Sequence, residues 1–171
     1  MNPKINNTVL FFSFLLAQML ISNFVDFGPM LFIAIYPLFI ITLPTSISLV
    51  SVLLWGFAMG FSIDILYSGV AGMNTAAAVM LAFLREPVLM LFMRKGEVDS
   101  QIRPGMAEMG FSRFLVYSAI SLLIFLVTFI FIESLSISYF IGNLPRLAVS
   151  YTVNMLLLLL LEFGIFYKNW R

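Results

Sequence analysis

The chain has no cysteine and no histidine among its 171 residues. Without cysteine there is no disulfide, no thiolate zinc site and no cysteine nucleophile, and the redox compartment cannot be read from cysteine usage. Without histidine the commonest general base and metal ligand is missing as well. Charge is scarce: 10% of the residues are Asp, Glu, Lys or Arg, where soluble domains carry about 25%. Against these absences stand a hydrophobic share of 62%, nineteen Phe, eleven Met and a mean hydropathy of +1.08. A soluble domain of this length cannot hide so much apolar surface, so the composition specifies an integral membrane protein. The formal net charge of +1 says little about partners, because in a membrane protein the placement of charge matters more than its sum.

Taken in order, the apolar runs predict one all-α polytopic domain spanning 1–171, with about six helices near 8–25, 30–43, 45–66, 72–93, 114–132 and 147–167. The polar head MNPKINN precedes a first run interrupted by Gln18 and Asn23. That run is long for a signal peptide, and no small-x-small cleavage site closes it. The turn DFGP (Asp26–Pro29) leads to an apolar stretch from Met30 to Leu43, only fourteen residues long and with Pro37 inside it. A straight span needs about 20 residues, so this element is expected to be short, kinked or partly re-entrant. Pro37 is the expected kink, removing one helical hydrogen bond whose carbonyl must be satisfied by protein or water. Pro44 and Thr45 open the third helix, with Thr45 or Ser46 able to cap it. The fourth contains an Arg85-Glu86-Pro87 interruption, and residues 94–113 form the long polar loop, with room for one amphipathic turn. With six spans, Lys4, Arg94, Lys95, Arg103, Arg113, Lys168 and Arg171 share one side, while Asp26, Glu133 and Arg146 lie on the other. That bias is the positive-inside pattern and places both termini in the cytoplasm, with Tyr167 and Trp170 at the inner interface.

The most informative stretch is 56–85, GFAMGFSIDILYSGVAGMNTAAAVMLAFLR. Gly56, Gly60 and Asp64 recur at steps of four, one stripe on a helix, and the glycines let a neighbouring helix come close. Gly72, Asn74 and Ala76–Ala78 open the next helix with small residues. These positions are the candidate helix-packing or partner-binding residues, with packing inside the chain the simpler use of the glycine pair. Two readings of Asp64 stand side by side: a carboxylate satisfied by the N–H groups that open helix four, or a contact to a partner or ligand. Arg85 and Glu162 are candidate intramembrane polar contacts, because ionisable side chains at lipid depth are expensive. Arg85 can snorkel to the inner headgroups instead. Glu162 reads as a polar contact inside the bundle or as part of a helix–helix hydrogen bond. No catalytic constellation emerges: Asp64 is the only aspartate within a span, and no glycine-rich phosphate loop follows a strand. The expectation is a non-enzymatic protein with no catalytic residue, no metal, no other cofactor and no nucleic-acid partner.

The order Pro29, Tyr36-Pro37, Pro44 and then the 56–85 stretch resembles the bacterial rod-shape-determining MreD family. That family carries a Gly-x-x-x-Gly-x-x-x-Asp helix, a glycine turn and a helix beginning Gly-x-Asn/His-x-Ala. The matching residues are Gly56, Gly60, Asp64, Gly72, Asn74 and Ala76. The likeness is clearest over 29–85, and the Arg85-Glu86-Pro87 interruption departs from it. It implies a non-enzymatic scaffold of the cell-elongation machinery in the bacterial inner membrane. The implied partners are an MreC-like single-span protein, the MreB filament and the RodA–transpeptidase peptidoglycan synthase. It also implies a fold similar to the six-helix substrate-binding subunits of energy-coupling-factor vitamin transporters, which is the rival function. Those subunits resemble one another in an Ala-x-x-x-Ala face on the first helix. Here the first helix has only Ala17, and the Ala78/Ala82 pair lies on helix four.

Overall fold

The computed structural model describes residues 6–24, 28–93 and 102–167. The head 1–5, residues 25–27, residues 94–101 of the polar loop and the tail 168–171 lie outside the described residues. With them go Lys4, Asp26, Arg94, Lys95, Lys168, Trp170 and Arg171 of the charge pattern.

The described chain is helical, without a strand. In order it forms α1 (Asn7–Phe24), α2 (Pro37–Ile41), α3 (Leu49–Ile63), α4 (Met73–Met90), α5 (Met106–Met109), α6 (Phe111–Ser134), α7 (Ile137–Gly142) and α8 (Leu144–Leu161). Wider turns prolong α3 over Asp64–Ser68 and α8 over Glu162–Tyr167. In the first of these, Gly69 N–H donates to the Asp64 carbonyl at 3.0 Å, five residues back. Five of the helices (α1, α3, α4, α6 and α8) are long and apolar enough to cross a membrane. The molecule is a multi-pass membrane protein. The helix continues through Pro87 to Met90, so the Arg85-Glu86-Pro87 interruption does not end α4.

The expected second helix is for the most part not a helix. Residues 31–35 are extended, and α2 begins only at Pro37. Pro37 therefore starts a helix and does not kink one: at the first helical position its missing N–H has no intrahelical use, and its fixed φ suits the entry. Extended backbone at this depth needs hydrogen-bond partners from the protein, and two side-chain amides supply them. Gln18 of α1 accepts from Ile35 N–H at 2.8 Å and donates to the Ile33 carbonyl at 2.9 Å. From α8, Asn154 accepts from Ala34 N–H at 2.7 Å and donates to the Phe32 carbonyl at 2.6 Å. Ser150 Oγ accepts from Phe32 N–H at 3.0 Å. Alternate backbone groups thus go to opposite neighbours, as in a strand between two partners, with each amide standing in for a peptide unit.

From there the segment retraces α1. Arg103 bonds both the Asn7 side chain and the Thr42 carbonyl, so Thr42 lies level with the first residue of α1. Residues 36–43 form the innermost part of the bundle: Tyr36, Leu38, Phe39, Ile40, Ile41, Thr42 and Leu43 are fully buried. Around them close α4, with Ala77, Ala78, Leu81 and Ala82, and α6, with Leu122, Phe125, Leu126 and Ile130. Phe39 meets Phe11 of α1 and Trp55 of α3 at ring distances of 5.8 and 5.7 Å. Tyr36 stands edge-on to Phe125 at 5.3 Å.

Three further boundaries differ from expectation. Ser48, not Thr45 or Ser46, caps α3, accepting from Ser51 N–H at 3.4 Å. Thr45 is engaged elsewhere, its N–H and hydroxyl both donating to the Ile102 carbonyl. The second half of the polar loop forms the expected single amphipathic turn as α5, but it is folded into the bundle, with Pro104, Gly105, Met106 and Met109 buried. Between α6 and α8 a short helix, α7, occupies what reads as a linker. It follows Leu135, which is 90% exposed and adopts φ 53° at the end of α6.

Candidate functional site

The stripe Gly56–Gly60–Asp64 faces α4 within the same chain. A Cβ built on Gly60 would lie 2.5 Å from Thr75 Cα and 2.6 Å from the Asn74 carbonyl oxygen. One built on Gly56 would lie 3.0 Å from both the Ala78 carbonyl oxygen and Ala82 Cβ. The two backbones therefore touch at Gly60, with the separation growing toward Gly56.

That contact delivers Asp64 to the first turn of α4, where helix N–H groups have no intrahelical acceptor. Asp64 Oδ2 accepts from Gly72 N–H at 2.9 Å, from Thr75 N–H at 3.0 Å and from the Thr75 hydroxyl at 2.5 Å. Oδ1 accepts from Asn74 N–H at 3.0 Å and from its side-chain amide at 2.9 Å. The carboxylate is 1% exposed, and its charge sits at the positive end of α4. Gly72, at φ 104°, provides the left-handed backbone that turns the chain into this arrangement. Asn74 extends the network inward, since its Oδ1 accepts from the Tyr36 hydroxyl at 2.7 Å. Asp64, Asn74 and Tyr36 thus join α3, α4 and the extended segment in one hydrogen-bonded chain. It is a latch rather than an open site: both carboxylate oxygens accept from the opening turn of α4.

A second polar centre lies at the opposite end of α2. The last carbonyls of that short helix end inside the bundle, and three side chains meet them. Arg85 donates to the carbonyls of Ile41 and Leu43, Arg103 to that of Thr42 at 2.9 Å, and Tyr117 to that of Ile41 at 3.1 Å. Arg85 is only 4% exposed, with its guanidinium turned inward onto the end of α2. The reason is local: cations are favoured at a helix C-terminus, and a buried carbonyl without a donor is costly. Arg103 is likewise partly buried, and that burial, with the Arg85 charge beside it, pushes its guanidinium down to about 10, leaving it protonated at neutral pH. Glu162 is buried at the same end, where Oε1 accepts from Met106 N–H at 3.0 Å and ties the foot of α8 to α5. Gly105 packs against it: a Cβ there would come within 2.6 Å of that oxygen, and the Glu162 side chain would have to shift.

The predicted residues therefore fall into two groups that do not meet. Gly56, Gly60, Asp64, Gly72 and Asn74 form the α3–α4 latch, while Arg85 and Glu162 belong to the far end. Sequence reasoning missed Asn154, Ser150 and Tyr117, and passed over Gln18 as an interruption. The available signal was an amide in the middle of an otherwise apolar span, present in both α1 and α8. No group of three or more potential metal ligands occurs among the described residues. No protein-family model, curated protein or solved structure matches the chain at a significant level.

Proposed function

We propose that the chain is a non-enzymatic membrane scaffold of the bacterial cell-elongation machinery, of the MreD type, that works by holding membrane partners together. The observation that carries this reading is the latch. The glycines and the aspartate of the Gly-x-x-x-Gly-x-x-x-Asp helix act on one target, the Gly-x-Asn start of the next helix. The residues that make up the resemblance thus form one structural unit. The segment 28–43, which retraces α1, is counted as a sixth crossing alongside the five helical ones, in keeping with the six-span plan shared with energy-coupling-factor subunits. In this arrangement both ends of the protein face the cytoplasm of the inner membrane.

The latch also moves the partner surface. Gly56 and Gly60 are used up within the chain, so the faces left for other proteins are those of the outermost helices. Only 22% of the α8 span and 28% of the α1 span are buried within the molecule, against 50% for α4. An MreC-like single-span helix is assigned to this α1 or α8 flank, with the MreB filament and the wall synthase reached directly or through it. Depleting the protein in its host should give rounded or swollen cells with wall synthesis no longer confined to elongation. Normal rods combined with a new vitamin requirement would replace this reading with the transporter one.

A further inference from the structure

The α3–α4 pair that touches at Gly60 parts toward its other end, and there it leaves a crevice of about 120 Å³ lined by Ser48, Leu49, Val52, Ala82, Arg85 and Glu86, among others. At roughly 30 Å³ per water, this is room for about four water molecules, or for one compact charged group. Its depth in the membrane follows from the span ends: Ser48 immediately precedes the Leu49–Tyr67 span, and Glu86 lies in the last turns of the Met73–Met90 span. The crevice therefore opens at the ends of two candidate spans, beside the exposed apolar residues Leu49, Val50 and Met90.

Its two charges differ in kind. Arg85 is a buried guanidinium. The Ile41 and Leu43 carbonyls engage two of the five N–H donors of its guanidinium and the Tyr117 hydroxyl bonds it as well, which leaves the remaining donors for an anionic acceptor. Glu86 is exposed on the same wall. An inner cation with an outer carboxylate matches a zwitterion whose anionic part enters first.

We infer that this crevice binds the headgroup of a zwitterionic phospholipid of the phosphoethanolamine class, with the phosphate on Arg85 and Ser48, the ammonium on Glu86 and the acyl chains along the exposed faces of α3 and α4. The assignment is independent of the cell-elongation reading. Lipid bound here would wedge the foot of α3 against α4 while the latch holds their other ends.

The test is native mass spectrometry of the purified, delipidated full chain, titrated with dioleoylphosphatidylethanolamine or dioleoylphosphatidylglycerol. One retained lipid is expected, with the ethanolamine lipid preferred by about two- to fivefold, the range for one exposed ion pair. Glu86→Gln should bring the two lipids to parity. Leu49→Trp, at the exposed rim, should abolish retention while circular dichroism and Tm stay unchanged. Equal retention of the two lipids by the wild type, or retention undiminished in Leu49→Trp, would mean lipid bound non-specifically around the belt and would overturn the assignment. Displacement of the lipid by millimolar soluble phosphoethanolamine would overturn the lipid as the natural source of the headgroup.

Discussion

Replacing Gly60 with alanine should cost more stability than any other single methyl group added to this protein. The added carbon would sit 2.5 Å from Thr75 Cα and 2.6 Å from the Asn74 carbonyl oxygen, where carbon contacts settle at about 3.5–4.0 Å. The obstacle is backbone, which cannot rotate away, so α3 and α4 must separate by about 1 Å at this level. The same movement strains the bonds that Asp64 makes to Gly72, Asn74 and Thr75, now 2.9–3.0 Å to the backbone N–H groups, so that the equivalent of one is lost. Overpacking of this kind costs about 1–3 kcal/mol, and weakening one hydrogen bond to a charged group adds about 1.5–3 kcal/mol. A loss of about 3–5 kcal/mol is expected. Helix propensity works the other way, since alanine is favoured over glycine by about 0.5–1 kcal/mol in a helix interior. Gly56→Ala is the natural control: its Cβ would meet neighbours at 3.0 Å, and one of them is itself a methyl group, so a cost of about 1 kcal/mol is expected. Unfolding in mixed detergent micelles would measure both. Because Gly60→Ala already loosens the latch, its effect and that of Asp64→Asn should not add. A Gly60→Ala protein as stable as wild type, or equal to Gly56→Ala, would refute the close-contact reasoning.

Gln18→Leu removes the partners of Ile33 carbonyl and Ile35 N–H in a buried place and should cost about 2–5 kcal/mol in the same assay. Asn23→Leu, whose amide only donates back to the Met19 carbonyl on an exposed face, should change little. Asp64→Asn should destabilise by about 2–4 kcal/mol even though it preserves size, because one of its two side-chain heteroatoms becomes a donor facing the donors of α4; normal thermal stability in that variant would show that the latch does not depend on the carboxylate. Reporter fusions after residue 100 and at the C-terminus should report cytoplasm, and fusions near Gly69 and Ile137 the opposite side; an external C-terminus would remove the six-crossing arrangement.

Much of the helical plan was legible because long apolar runs have one reading in a membrane. The first helix, expected over 8–25, forms over Asn7–Phe24, and the glycine stripe was readable because steps of four must share a helix face. The second element was legible only as an anomaly. Its short length and Pro37 showed that it was not an ordinary span, but the reason it can be extended lies in side chains 15 and 120 positions away in sequence. Gln18 and Asn23 look alike in the sequence, yet one clamps buried backbone and the other faces outward. Arg85 stayed between two readings, a contact inside the bundle or the headgroups, for the same reason. Its nearness to a helix end suggested the headgroups, whereas the stronger claim on it comes from α2, whose carbonyls end at its side only in the folded chain. Ser48 caps α3 instead of Thr45 because Thr45 is drawn to Ile102, a pairing across the polar loop that local sequence does not contain.

The central claim is that this protein works by binding other membrane proteins through the outer face of α1 or α8. Mild-detergent purification of the full chain from its native membrane, followed by identification of what comes with it, tests that most directly. The account predicts an MreC-like single-span protein in the eluate, lost when bulky polar residues replace the exposed Leu16 or Leu156 and retained in Gly56→Ala. Recovery of ATPase subunits, with no wall-elongation protein among the partners, would contradict it.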